Sequence, residues 1–249
     1  MNKLLKFEFH KLGKQKSFRV CSIIMIVMSL IAALTMKAVI SNPELAAKSD
    51  ISISAVLLKA ISSSSFSMIA SIFVVIYICD DFEQKTIKNI FSRGYSRTSV
   101  YTSKMIACVT AVTIMFLISV VSAMVFGNIY GMDGSISGKA VIIILVQYLA
   151  QLANMLFCFA LASYFRKNGA AIAAALVAPI LVNMVIGLID SVLKTKDNSL
   201  SKYWMSSFQA ELETSAISDS RITVIAVLSL IYIVVFAAGG IAVGKKTEL

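Results

Sequence analysis

MIACVTAVTIMFLISVVSAMVFGNIYGM, residues Met105 to Met132, holds no Asp, Glu, Lys or Arg. An α-helix rises about 1.5 Å per residue and the hydrocarbon core of a bilayer is about 30 Å thick, so about 20 apolar residues cross it. This run is long enough. Five more charge-free runs flank it: Val20–Met36, Ala60–Cys79, Ala140–Phe165, Asn168–Ile189 and Ile222–Gly244. The pattern predicts an all-α membrane protein, one transmembrane domain over 1–249. Its six spans lie near 18–38, 60–79, 105–128, 140–164, 169–190 and 222–244. Composition agrees. Of 249 residues, 58% are hydrophobic and 14% charged, against about 45–50% and about 25% in soluble domains. The mean hydropathy is +0.85. A soluble globular protein, a disordered tail and a charge-covered nucleic-acid-binding domain are excluded.

The net charge of +10 is unevenly placed. With the N-terminus inside and six alternating spans, the N-terminal lysines, the cations between Lys85 and Lys104, Arg166–Lys167 and Lys245–Lys246 all fall on the cytoplasmic side. The inner face then carries the whole excess, and the outer face balances to zero. That asymmetry is the positive-inside rule, and it assigns both termini to the cytoplasm. The expected place is the plasma membrane, the cytoplasmic membrane of a bacterium. The basic charge needs anionic membrane lipid as a partner and no nucleic acid. Cys21, Cys79, Cys108 and Cys158 sit in or at the end of spans with no CxxC spacing, so they read as packing residues. The basic start before an apolar run resembles a signal peptide, but the run is long and lacks a clear small-residue cleavage site.

Residues 2–17 are too polar to span. Leu5, Phe9 and Leu12 repeat at i, i+4, i+7, with Lys3, Lys6, His10 and Lys14 opposite. This predicts a basic amphipathic helix in the cytoplasmic interface, against the plainer reading of a basic flank. His10 belongs to the polar face and is no ligand. The first outer loop, 37–59, contains Pro43. Ser67 and Ser71 share a face of the second span, where small hydroxyl residues allow close packing. The outer segment 194–221 carries Tyr203, Trp204 and Phe208, aromatics suited to the headgroup level, and predicts a short interfacial or re-entrant helix.

The six charge-free runs hold no carboxylate, lysine, arginine or histidine, the nearest charges standing at their ends. Ion-coupled carriers and pumps need such groups as relays, and intramembrane hydrolases need a general base or metal ligands. No metal site is expected. Gly239-Gly240-Ile241-Ala242-Val243-Gly244-Lys245-Lys246 nearly matches the phosphate loop GxxxxGK[ST] but fails at the last position. Gly240 and Gly244 read as a close-packing pair instead. The chain is expected to be no enzyme and to hold no cofactor. If it moves anything uphill, the motor is another polypeptide.

The segment after the second span, 80–104, reads DDFEQKTIKNIFSRGYSRTSVYTSK. Asp80, Asp81 and Glu83 cluster close to Lys85 and Lys88, as on a charged helix. Ile87, Ile90 and Phe91 share one face. Gly94 ends that helix and Ser96 is placed to cap the next. A short amphipathic helix of this kind is a docking surface, with apolar anchors for a groove and charges for register. A solvated charged loop is the alternative.

This arrangement resembles the membrane subunits of type-2 ABC exporters, such as the bacitracin-resistance, sodium-export and lantibiotic-immunity permeases. In that family the loop after the second span reads acid, then Gly-Thr-hydrophobic-Lys, then Pro-x-Ser-Arg, then a Lys entering the third span. Glu83, Thr86, Ile87, Lys88, Ser96, Arg97 and Lys104 match. Lys85 replaces the usual Gly, and Gly94 the usual Pro. Phe7-Glu8-Phe9-His10-Lys11-Leu12 is similar to the family's elbow helix. The resemblance implies an antimicrobial-peptide-resistance type of permease that pairs with a second copy or a related permease. It also implies two separate ABC ATPase subunits, which hold the ATP and Mg²⁺. A coupling helix over 81–92 would fit a groove on the ATPase. Ile87, Ile90 and Phe91 would be its anchors and Glu83, Lys88 and Arg97 its polar contacts, with Asp81, Thr86, Ser96 and Lys104 completing the region. The expected function is export of a peptide, drug, lipid or ion.

Gln147, Gln151 and Asn154 form a polar stripe at i, i+4, i+7 on the fourth span, with Tyr148 beside it. Amides facing lipid are costly, so the stripe faces protein or water. It is either interhelical packing, which the pattern favours, or a substrate path. Pro179 and Asn183 mark a kink in the fifth span. Two other functional classes stay open: a motor-free channel or facilitator, and a non-transporting peptide sensor or scaffold binding through 194–221.

Overall fold

The computed structural model describes residues 2–41, 53–62, 64–84, 86–132, 136–193, 200–213 and 217–246. Residues 42–52 of the expected first outer loop, Pro43 included, lie outside the described residues. Among these residues the chain is helical, with no strand. The helices are α1 (Asn2–Lys14), α2 (Lys16–Ile40), α3 (Ile53–Ser62), α4 (Ser64–Glu83), α5 (Thr86–Ser92), α6 (Arg97–Ile129), α7 (Gly138–Phe165), α8 (Asn168–Leu193), α9 (Met205–Glu211) and α10 (Asp219–Lys246). A 3₁₀ turn covers Leu200–Tyr203. Six helical stretches are long and apolar enough to cross a membrane: α2, α3 with α4, α6, α7, α8 and α10.

Most helix ends follow local chemistry. Ser96 and Ser137 adopt extended backbone and accept hydrogen bonds from the amides of Ser99 and Ala140 (3.3 and 3.2 Å). Each satisfies a donor that the first turn leaves open. Gly94 closes α5 with φ +81°, the left-handed conformation glycine adopts without strain.

The helices pack in a bundle. α10 lies along α7, α2 along α6, and α4 between α7 and α8. Phe73, Tyr77, Cys108, Met115 and Phe159 fill the main core. A smaller outer core joins Leu58, Ile143, Ala150, Phe208 and Ile225. All four cysteines are buried and free. Gly240 and Gly244 are close-packing positions, and what approaches them is aromatic. A Cβ would stand 2.7 Å from the Phe159 ring at the first and 2.7 Å from the Tyr101 ring at the second. On α8, Val177, Ile180, Leu181, Met184, Val185 and Leu188 point outward, as apolar side chains do when their solvent is hydrocarbon.

Three boundaries differ from the charge-free reading. Helix begins at Ile53, ahead of the expected 60, and so takes in Lys59. α4 continues through Asp80, Asp81 and Glu83, and α6 starts at Arg97. The expected connecting loop over 80–104 shrinks to the stretch holding α5. Charge-free length marks where lipid is contacted, whereas a helix continues wherever its backbone and side chains find partners. The aromatic expectation for the outer segment is also revised. Phe208 is fully buried and Trp204 stacks edge-on to Tyr232 at 6.0 Å, so both serve protein packing, while Tyr203 stays exposed. Arg221 holds Glu211 through two hydrogen bonds (2.7 and 2.8 Å), and the Asp190 carboxylate accepts from the amides of Leu200 and Ser201.

Candidate functional site

The region around α5 is built from its first residue upward. Thr86 opens a helix of seven residues. Such a piece has too few hydrogen bonds to stand alone, so its apolar side must find cover. Ile87 is 1% exposed and Ile90 8%. Ile90 packs with Leu4 of α1 and Val100 of α6, with Phe91 and Tyr95 beside them. This corrects the sequence expectation. Ile87 and Ile90 anchor α5 to its own protein, and of the two only Ile90 keeps an edge at a surface groove. Phe91 is half-buried, with the Arg97 guanidinium 5.9 Å from its ring centre. The outward face presents Lys88, Asn89, Ser92 and Arg93. Between α5 and α1 runs a groove of about 410 Å³, lined by Lys3, Leu4, Phe7, Thr86, Asn89, Ile90, Arg93 and Tyr95.

The expected face of α1 splits. Leu12 is buried, Leu5 half-buried, and Phe9 is 42% exposed. The buried face runs instead through Leu4, Glu8 and Leu12, the i, i+4, i+8 positions of one helical side.

That shift carries a carboxylate inside. Glu8 is 0% exposed, Lys104 0% and Asp81 1%. The Lys104 Nζ donates to Glu8 Oε1 at 3.1 Å and to Asp81 Oδ2. Lys11 Nζ donates to Asp81 Oδ1 at 2.6 Å, and the Tyr77 hydroxyl to Glu8 Oε2 at 2.6 Å. Two carboxylates thus meet two ammonium groups, and the formal charges cancel. Asp81 and Lys104, expected beside a partner ATPase, are engaged here within the chain. Glu83 is likewise occupied. Its carboxylate accepts from the Asn168 backbone amide (2.8 Å) and side-chain amide (2.9 Å), capping the start of α8 where a negative charge is favoured. Asn168 also donates to Asp80 at 2.9 Å. The runs 60–79 and 105–128 stay free of ionisable groups, and Asp80, Asp81, Glu83 and Lys104 lie where α4 and α6 continue past them.

The polar stripe sits inside the bundle. Gln147 Nε2 donates to the Leu212 carbonyl at 2.7 Å, and Gln151 Nε2 to the Ile61 carbonyl at 3.2 Å. Gln151 Oε1 accepts from the Ser67 hydroxyl at 2.6 Å. Asn154 donates to Ser71 at 3.2 Å, and it alone of the three lines a cavity. This cavity of about 390 Å³ lies between α4, α7, α8 and α9. Ser65, Ser67, Ser71, Asn183, Ser206 and Gln209 give it hydrogen-bonding groups, Met68, Leu176 and Ile180 an apolar wall, and among the described residues no charged side chain lines it.

Sequence reasoning missed Glu8, Lys11, Tyr77, Asp80 and Asn168. One signal was available: Glu8 interrupts the apolar row Leu4–Leu12, as a buried acid with a distant partner does.

The profile of a family described as ABC-2 family transporter protein matches residues 4–202. A comparison with curated proteins finds no match.

Proposed function

The chain belongs to the ABC-2 family of transporter proteins, the membrane permease components that work with ABC ATPase subunits, and from that premise we propose that it exports. ATP bound and hydrolysed in two separate ATPase subunits drives cargo outward through a pair of six-span permeases, this chain with a second copy or a related one. The ATPase docks on the outward face of α5. The observation that carries this reading is the groove between α1 and α5, flanked by Lys3, Arg93 and the exposed Lys88. It supports a partner surface with an acidic rim and an apolar ridge, because cations frame an apolar floor of Leu4, Phe7 and Ile90. The contact residues proposed are therefore Lys88, Asn89 and Arg93, with Thr86, Phe91 and Arg97 at the edges. Ser96 contributes by fixing where α6 starts.

For the cargo, the cavity around Asn154 is the proposed contact region. Gln147 and Gln151 are proposed to be packing groups, since their amide nitrogens are already spent on backbone carbonyls. Peptide, drug, lipid and ion remain the cargo classes under test. A Lys88→Glu, Arg93→Glu permease, purified with an affinity tag, should lose the ATPase that accompanies the parent protein. Equal ATPase recovery by the two would refute the docking face. For direction, inside-out vesicles bearing the complex are given ATP and, in turn, a cationic antimicrobial peptide, a lipophilic dye and a sodium tracer. ATP-dependent accumulation of one supports export, and accumulation by vesicles lacking the ATPase subunits refutes it.

A further inference from the structure

α1 is joined to α2 by one residue, Gln15, whose backbone is extended at φ −69° and ψ 125°. A single extended residue between two helices is a soft joint, and its own side chain adds only a long contact, Gln15 Nε2 to Asp80 Oδ2 at 3.5 Å. What holds α1 in place must therefore be its side chains. Leu4 and Leu12 supply apolar contacts, which are non-directional and tolerate sliding. The directional contacts are those of Glu8 and Lys11 with Tyr77, Asp81 and Lys104, drawn from α1, α4 and α6.

We infer that Glu8, Asp81 and Lys104 are positioning residues that fasten α1 to the inner ends of α4 and α6 as one rigid unit, and that this unit stays closed throughout the transport cycle. Each partner is almost completely buried. Parting them would leave full charges without countercharge or water, which is far costlier than never having placed charges there. A cluster of this kind adds little net stability, and its value lies in selecting a single arrangement. α5 is seated on the same unit through Ile90, Leu4 and Val100. A push on α5 then moves α1, α4 and α6 together and is not absorbed by slippage of α1. This deepens the docking reading above and rests on it for the source of the push.

The test uses the complete permease–ATPase complex with spin labels on the exposed positions His10 of α1 and Thr98 of α6, introduced as His10→Cys and Thr98→Cys. Pulsed electron spin resonance reads their separation without nucleotide and with ATP trapped on a hydrolysis-deficient ATPase. One narrow distance, identical in both states, is expected. A shift between the two states overturns the rigid unit, and this arm alters nothing in the cluster. The second arm removes the charges together, as Glu8→Gln, Asp81→Asn and Lys104→Met, and the single narrow distance should be lost while the ATPase still co-purifies. A distribution as narrow as the parent's would show that the charged groups are not what holds α1, and would also overturn the inference. Failure of the docking face reads differently. There Lys88→Glu, Arg93→Glu retains the ATPase, whatever the spin labels report.

Discussion

Lys104→Met isolates the energetics of the inner cluster. Among the described residues, Lys104 is the only cation bonded to Glu8, whose other side-chain partner is the Tyr77 hydroxyl. Asp81 keeps Lys11 when Lys104 is lost, and the Lys11 side chain is 22% exposed, so that pair can relax toward water. Removing the Lys104 ammonium therefore strands one buried carboxylate, that of Glu8. Breaking a buried pair in this way costs about 3–5 kcal/mol, a hundredfold or more in the folded-to-unfolded ratio at about 1.4 kcal/mol per factor of ten. Asp81→Asn should cost less, because Lys104 retains Glu8 and Lys11 can turn to solvent. The combined Glu8→Gln, Asp81→Asn, Lys104→Met protein strands only Lys11, which is partly exposed, and should be more stable than Lys104→Met despite carrying more substitutions. Neighbouring groups of one network are expected to be non-additive in this sense. Unfolding by SDS titration in mixed micelles, followed by tryptophan fluorescence from Trp204, ranks the four proteins. If Lys104→Met unfolds at the same SDS fraction as the parent, or the combined variant is the least stable, the buried-charge reasoning is wrong.

Gln151→Leu leaves the Ile61 carbonyl without its side-chain donor and Ser67 without its acceptor; midpoints in detergent should fall by about 1–3 kcal/mol of stability while vesicle transport is unchanged, and lost transport at full stability would instead make Gln151 part of the path. Gly240→Ala sets a methyl 2.7 Å from the Phe159 ring and should cost about 1–3 kcal/mol through overpacking, read as a lower melting temperature. Ile87→Asp buries an unpaired carboxylate and should reduce folded protein recovered from membranes before any effect on the ATPase is measurable. Normal recovery with lost ATPase binding would return Ile87 to the partner surface.

Much of the architecture is legible in the chain because hydrocarbon enforces it. A run such as Met105–Met132 has no alternative to being a helix in lipid, since every backbone polar group must be satisfied internally. Local punctuation is equally readable. Gly94 acts through its own backbone and Ser96 through a side chain that reaches its own turn, and their roles follow from residue type alone. What the sequence does not reveal is pairing at a distance. The amphipathic face of α5 says that Ile87 and Ile90 will be covered, not that residues of the same chain will cover them. Glu8 and Lys104 lie 96 positions apart, and nothing local to either identifies the other. Read locally, Asp80, Asp81 and Glu83 form a solvated patch with Lys85 and Lys88; their actual partners are Asn168, Lys11 and Lys104, brought in by the bundle.

The Ile61 carbonyl lies in the last turn of α3, within reach of a side-chain amide from a neighbouring helix. Gln151 supplies it from α7, and Gln147 reaches toward Leu58 one turn away. The two helices are thereby indexed to each other like teeth on a rack. A slip by one helical pitch, about 5.4 Å, would part Gln151 from Ile61 and Gln147 from Leu58. Whatever route the cargo takes past this point, α3 and α7 must travel as a matched pair, and the gap that admits it has to open along some other seam.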